Sequence, residues 1–283
     1  MIIRVTLKWV PVLVLAVGVF GGAVSVTDEK QPRVDSLLYR ADQIMNVWAG
    51  MAIDIHMSVA SKTTGHELRQ ADFTMLTHRN GTTLMLLYQA EIDTPGVLLM
   101  TPRVYSLLLP HAAQPVELPA ERVLSGDLSH PGFLRVSLRN NYQPALVGAA
   151  EVEGVSCWRL ELTPIGPDAR FGRVGYWVSK QRARPMRITF FDKAGNPLKD
   201  VRFMDYHPTT SGLSKPARMV IEDTNRPDER TTLTMTEPKG IKTSKLKFNV
   251  DLLLPLREAA LSSMKENGGK AKARELVDVL LAL

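Results

Sequence analysis

A chain of 283 residues, 45% hydrophobic and 23% charged, is ordinary for a globular protein and has ample apolar material for one large β domain or two smaller ones. Its formal net charge of +6 is mildly basic, far from a nucleic-acid-binding signature. Cys157 is the single cysteine, which excludes an internal disulfide.

Residues 1–25 read as a targeting segment. Arg4 and Lys8 form a positive start, Trp9 to Phe20 an apolar run, and Ala23-Val24-Ser25 a small-residue cleavage site after about Ser25. An uncleaved anchor is the alternative, but the apolar run is shorter than the ~20 residues a membrane span needs. No cysteine follows that run, so the segment is not a lipid-anchoring signal. The expected product is an exported, periplasmic chain. Losing Arg4 and Lys8 with no acidic residue lowers its net charge from +6 to +4.

Val34 to Trp48 has Val34, Leu37, Leu38, Ala41, Ile44, Met45 and Trp48 at three- and four-residue spacing, which predicts an amphipathic helix ended by Gly50. Met51 to Ala60 alternates, with Met51, Ile53, Ile55, Met57 and Val59 on one side and Asp54, His56 and Ser58 on the other. Glu67 to His78 continues as a strand, and Asn80-Gly81 marks a tight hairpin into Thr83–Gln89. Pro95-Gly96 and Thr101-Pro102 read as turns that bracket Val97–Met100 and lead to Val104–Leu109. Strands this short with connections this brief are antiparallel. The meander has one face greasier than a solvated sheet requires.

Pro119 to Pro144 breaks the pattern and reads as a long excursion with one or two helical turns. Strands then resume at Ala145–Ala150, Val155–Leu162, Val174–Val178, Pro185–Asp192, Lys199–Tyr206, Arg218–Glu222 and Thr231–Thr236. Glu153-Gly154, Pro164–Pro167, Ala194–Pro197 and Arg226-Pro227-Asp228 supply turn signals between them. After Leu254 the character changes: Pro255–Met264 and Ala271–Leu283 predict two short helices, either packed on the sheet or docking elsewhere. The domain reading is a targeting segment at 1–25, a β domain at 26–254 and a helical extension at 255–283.

No sequence-readable chemistry emerges. The histidines at 56, 66, 78, 111, 130 and 207 form no close metal-ligand pair, and no nucleophile elbow or phosphate-binding loop is present. No cofactor is expected, and no enzyme. Cys157 beside Trp158 fits a buried, inert thiol. Nine methionines fall in predicted strands, and their flexible thioethers adapt to irregular apolar partners such as acyl chains.

Several segments, in order, resemble the periplasmic LolA/LolB superfamily of outer-membrane lipoprotein-sorting proteins. They are Arg79-Asn80-Gly81, Pro95-Gly96-Val97-Leu98-Leu99, Tyr105–Pro110, Val152–Pro164, Tyr176-Trp177-Val178, Pro185-Met186-Arg187 and Phe191–Gly195. The resemblance implies a mainly β chain: a large, half-open, unclosed antiparallel β-barrel of about eleven strands with helices plugging its concave face. It implies no catalytic residues. Two features depart from it: Gly126–Phe133 lacks the acidic-aromatic segment many relatives carry, and the tail after Leu254 is an addition.

The expected function is therefore a periplasmic carrier for a lipid or the acyl chain of a lipoprotein. An inner-membrane transporter and an outer-membrane acceptor are its candidate donor and recipient. The expected cavity lining is Met57, Met75, Met85, Leu87, Leu98, Met100 and Leu107, with Leu38 and Trp48 from a plug helix that moves with the 120–143 excursion. A one-residue error in strand facing would exchange the whole set. Two other readings share the scaffold: a sensor that binds an envelope protein partner through its exterior and tail, as anti-sigma-factor-binding periplasmic regulators do, and an envelope hydrolase with a close carboxylate or Ser/His cluster.

Overall fold

The computed structural model describes residues 33–46, 50–78, 80–89, 92–101, 104–119, 138–166, 169–208, 214–241, 248–267 and 273–282. The targeting segment, Trp48 and the excursion over 120–137 lie outside them. In chain order the elements are helix α1 (Val34–Asn46) and strands β1 (Met51–Ser61), β2 (Glu67–Thr77), β3 (Thr83–Gln89), β4 (Ile92–Met100), β5 (Val104–Leu108) and β6 (Val116–Pro119). Then come β7 (Tyr142–Val152), β8 (Val155–Pro164), β9 (Arg173–Ser179), β10 (Pro185–Phe191), β11 (Pro197–Pro208), β12 (Ser214–Asp223), β13 (Arg226–Met235) and β14 (Lys239–Gly240). Helices α2 (Leu253–Asn267) and α3 (Ala273–Ala282) follow. No helix of the described residues is long and apolar enough to cross a membrane.

All fourteen strands join one antiparallel, unclosed sheet, ordered β6-β5-β4-β3-β2-β1-β13-β12-β11-β10-β9-β8-β7, with β14 paired to β1. Two meanders thus meet where β1 pairs with β13, and β6 and β7 form the two edges. The strand count exceeds the expected eleven or so. Val116–Pro119 and the two-residue Lys239–Gly240 are too short to show period-two alternation.

Two turn assignments are corrected. Pro95 and Gly96 lie inside β4, where the register with β3 shifts between Leu87 and Gln89. A bulge accommodates a proline that cannot donate to the ladder. Arg226-Pro227-Asp228 opens β13, since Asp223 already pairs with Arg226 and the hairpin turn is Thr224-Asn225. At Glu153-Gly154 the expected turn is present, both residues at positive φ (49° and 75°), the twist that suits a two-residue hairpin.

The sheet's inner face carries a single core running from Leu107 on β5 through β1 to Leu160 on β8, closed by Leu37, Leu38, Ala41 and Met45 of α1. Helix α1 rests on β7, β10 and β12, in the second meander. Two buried polar contacts hold it there. The Asp42 carboxylate accepts the Arg139 N–H at 2.9 Å, and the fully buried Lys215 Nζ of β12 donates to the Ile44 carbonyl in the helix's last turn. The last carbonyls of a helix have no intrahelical partner, and the Lys215 nitrogen satisfies one of them.

The outer face differs between the two meanders. On β2–β5 it presents Leu76, Leu84, Leu86, Val97, Leu99 and Leu108, all buried beneath Leu253, Leu256 and Ala260 of α2 and Leu276 and Leu280 of α3. On the second meander the same face is largely charged: Arg187 pairs with Asp200 at 2.8 Å, and Glu222 takes both Arg202 (3.2 Å) and Arg230 (3.1 Å). Trp177 lies between the Arg159 and Arg187 guanidiniums, at 5.4 and 4.9 Å. The greasy outer face of the first meander is thus covered by the chain's own C-terminal helices.

Candidate functional site

The inner-face side chains stack in rows across the first meander. One row, Ile53–Met75–Met85–Leu98–Leu107, is in register over five strands and filled by large side chains. The next row, Ile55–Phe73–Leu87–Gly96, ends in a residue with no side chain. Beyond it, Met57 pairs with the small Ala71. Missing volume at Gly96 and Ala71 leaves a cavity of about 300 Å³, at the small end of the range for ligand pockets. Met57, Ala71, Phe73, Leu87 and Leu107 form its apolar floor, while Arg69, Gln70, Gln89, Ile92, Thr94, Leu109 and Pro110 surround it towards the strand ends.

The rim is held by polar contacts. Arg69 grips Glu229 of β13 with two hydrogen bonds, at 3.2 and 2.7 Å, and Arg226 approaches the same carboxylate at 3.3 Å. Hydrogen bonding from Arg69 holds the Glu229 carboxyl below its ordinary value of 4.5. A carboxylate lowered in the fold contributes stability that is present above that ordinary value and lost as pH falls through the lowered one. The rim between β2 and β13 is therefore expected to loosen on acidification below about pH 4.5. Exchange rates of the Arg69 and Glu229 amides against pH would show this, and Glu229→Gln should remove the dependence. On the opposite wall the Thr94 hydroxyl lies 3.2 Å from His111 Nδ1 and 3.0 Å from Asp93 Oδ1.

Eight of the nine expected lining residues are described: the seven on strands belong to the inner face, and Leu38 packs onto it from α1. The facing of the strands was therefore read in the right phase. Only Met57, Leu87 and Leu107 border the cavity. Leu38, Met75, Met85, Leu98 and Met100 are packed in the core beside it, each at most 1% exposed. Trp48 lies outside the described residues. Ala71, Phe73 and the rim were missed, although stepping by two from Met75 along β2 passes Phe73 and Ala71 to Arg69. The same step from Leu87 reaches Gln89, and from Leu107 reaches Leu109.

Among the described residues, no group of three or more His, Cys, Asp or Glu side chains is placed to hold a metal ion. His56 pairs with Asp72 at 2.9 Å away from the inner core. Cys157 is fully buried, and burial pushes its thiol up to about 11, so it stays protonated at neutral pH.

Comparison with known proteins places this geometry. A LolA superfamily protein of Nitrosomonas europaea superposes with a TM-score of 0.64, at 22% identity, over 79% of this chain and 100% of its own. The fold is LolA-like. An outer membrane lipoprotein-sorting protein domain from Vibrio parahaemolyticus shares this LolA-like fold (TM-score 0.60, 15% identity, 76% of this chain and 96% of that one). So does a DUF1329 family protein of Desulfovibrio piger (0.61, 20% identity, 77% and 97%). A family model described only as an uncharacterized protein matches residues 110–250. No curated protein matches the chain.

Proposed function

We propose that this protein is a periplasmic carrier that takes a lipid or lipoprotein acyl chain into the inner-face cavity and hands it on towards the outer membrane. The observation that carries the reading is the cavity itself: an apolar floor opened by Gly96 and Ala71 beside the filled row Ile53–Met75–Met85–Leu98–Leu107. Burying a methylene contributes about 0.8 kcal/mol, so a long acyl chain gains on the order of 10 kcal/mol before ordering costs. Affinity of that kind needs no catalytic group, and handover to a tighter acceptor makes or breaks no bond. The targeting segment and a lipoprotein-sorting relative on the same fold support the periplasmic setting.

Native mass spectrometry with lipid extraction, on protein purified from its own periplasm without detergent, tests the reading. A discrete co-purifying lipid mass is expected. It should disappear in Gly96→Val, where the first added carbon meets Leu108 O and Pro110 Cδ at an ordinary 3.6 Å, and in Leu87→Glu. Clean ligand-free masses across preparations, with no uptake of added lipids, would overturn it.

A further inference from the structure

Among the described residues, Arg257 links the C-terminal helices to the turn beside the cavity. Arg257 of α2 is buried on the outer side of the sheet, yet its guanidinium donates to the carbonyls of Leu109 (3.2 Å) and Ala112 (2.6 Å). Those two residues bracket the turn after β5, in which the Ala112 N–H also bonds Leu109 O and His111 holds a positive φ of 60°. The turn passes from one face of the sheet to the other. Ala112 packs against the outer core, whereas Leu109 and Pro110 line the cavity and His111 meets the wall residue Thr94.

We infer that Arg257 is a positioning residue for the cavity, through which the C-terminal helices fix the rim turn and set how fast a bound acyl chain leaves. This rests on the carrier reading. The chemistry favours a fixed role: Nη1 donates to both carbonyls of the turn while Nε and Nη2 bond Glu258, so the planar guanidinium is held in orientation as well as position. Glu258 Oε1, at 3.3 Å from Nη2, completes the guanidinium's partners on the solvent side. A partner that lifted α2 from the sheet would release the rim by the same route.

The test is the dissociation rate of a dansyl-labelled fatty acid from the full chain, followed by competition with unlabelled fatty acid. Amide exchange over residues 109–112 is measured in parallel on ligand-free protein. Losing charge-assisted hydrogen bonds in Arg257→Met is expected to speed dissociation at least about tenfold and to quicken that exchange. Arg257→Lys, which retains the buried charge but not the planar fork, should fall between the two and serves if the methionine variant does not fold. Dissociation and exchange unchanged in either folded variant would overturn the inference. A parent protein that binds no probe would instead sink the carrier reading, and the exchange data would still decide whether Arg257 holds the turn.

Discussion

Replacing Leu256 by aspartate is expected to detach α2 from the sheet and to lower stability by roughly 3–5 kcal/mol, the range for losing a large core side chain and burying an unpaired charge. Leu256 is fully buried in the outer core, the cluster that also holds Leu84, Leu86, Leu99 and Leu108. The neighbouring Leu254 is 42% exposed, so Leu254→Asp should change stability little and serves as the control. Urea denaturation followed by circular dichroism measures the difference, and binding of a hydrophobic dye reports the uncovered leucines. Equal midpoints for the two variants would mean that the helices do not hold the sheet.

Substituting methionine for Lys215 is expected to flatten the dependence of stability on alkaline pH. Burial pulls the Lys215 ammonium from 10.5 down to about 7. Between those values the unfolded chain holds a proton that the folded one has released, so stability rises with pH across that window and is lowest below it. The full rise is on the order of 3–5 kcal/mol for a displacement of this size. Lys215→Met keeps the side chain's length, loses the bond to Ile44, and should match or exceed the parent's stability below about pH 7. Thermal unfolding at a series of pH values would show it, and an undiminished rise in the variant would assign the effect to another group.

The strands and their facing were legible because Met51–Ala60 alternates cleanly, and one correct phase in β1 fixes its antiparallel neighbours. The cavity was not legible for the opposite reason. It is made by what Gly96 lacks, and Pro95-Gly96 carries a turn signal that hid its place in β4. A list of large apolar residues finds the filled rows and passes over the gap. The meander's one greasy face is visible in Thr83–Leu109, but what covers it is not. Leu76, Leu84, Leu86, Leu99 and Leu108 meet α2 and α3, a pairing across more than 140 residues that no local pattern reveals. Arg257 was invisible in the same way, since its partners are backbone carbonyls on a distant turn.

The sheet's strand order also dictates when the protein finishes folding. The first meander pairs locally, but β1 waits for β13, whose register matches Ile55 to Met235, and the leucines of β2–β5 wait for residues 253–282. Contacts of such sequence separation are slow to close and leave strand edges and apolar surface bare in the interval. A chain that emerges from its N-terminus presents the sticky half first and its cover last. Shortening the chain at α2 is therefore expected to leave the leucines of β2–β5 bare and to make refolding from urea prone to aggregation.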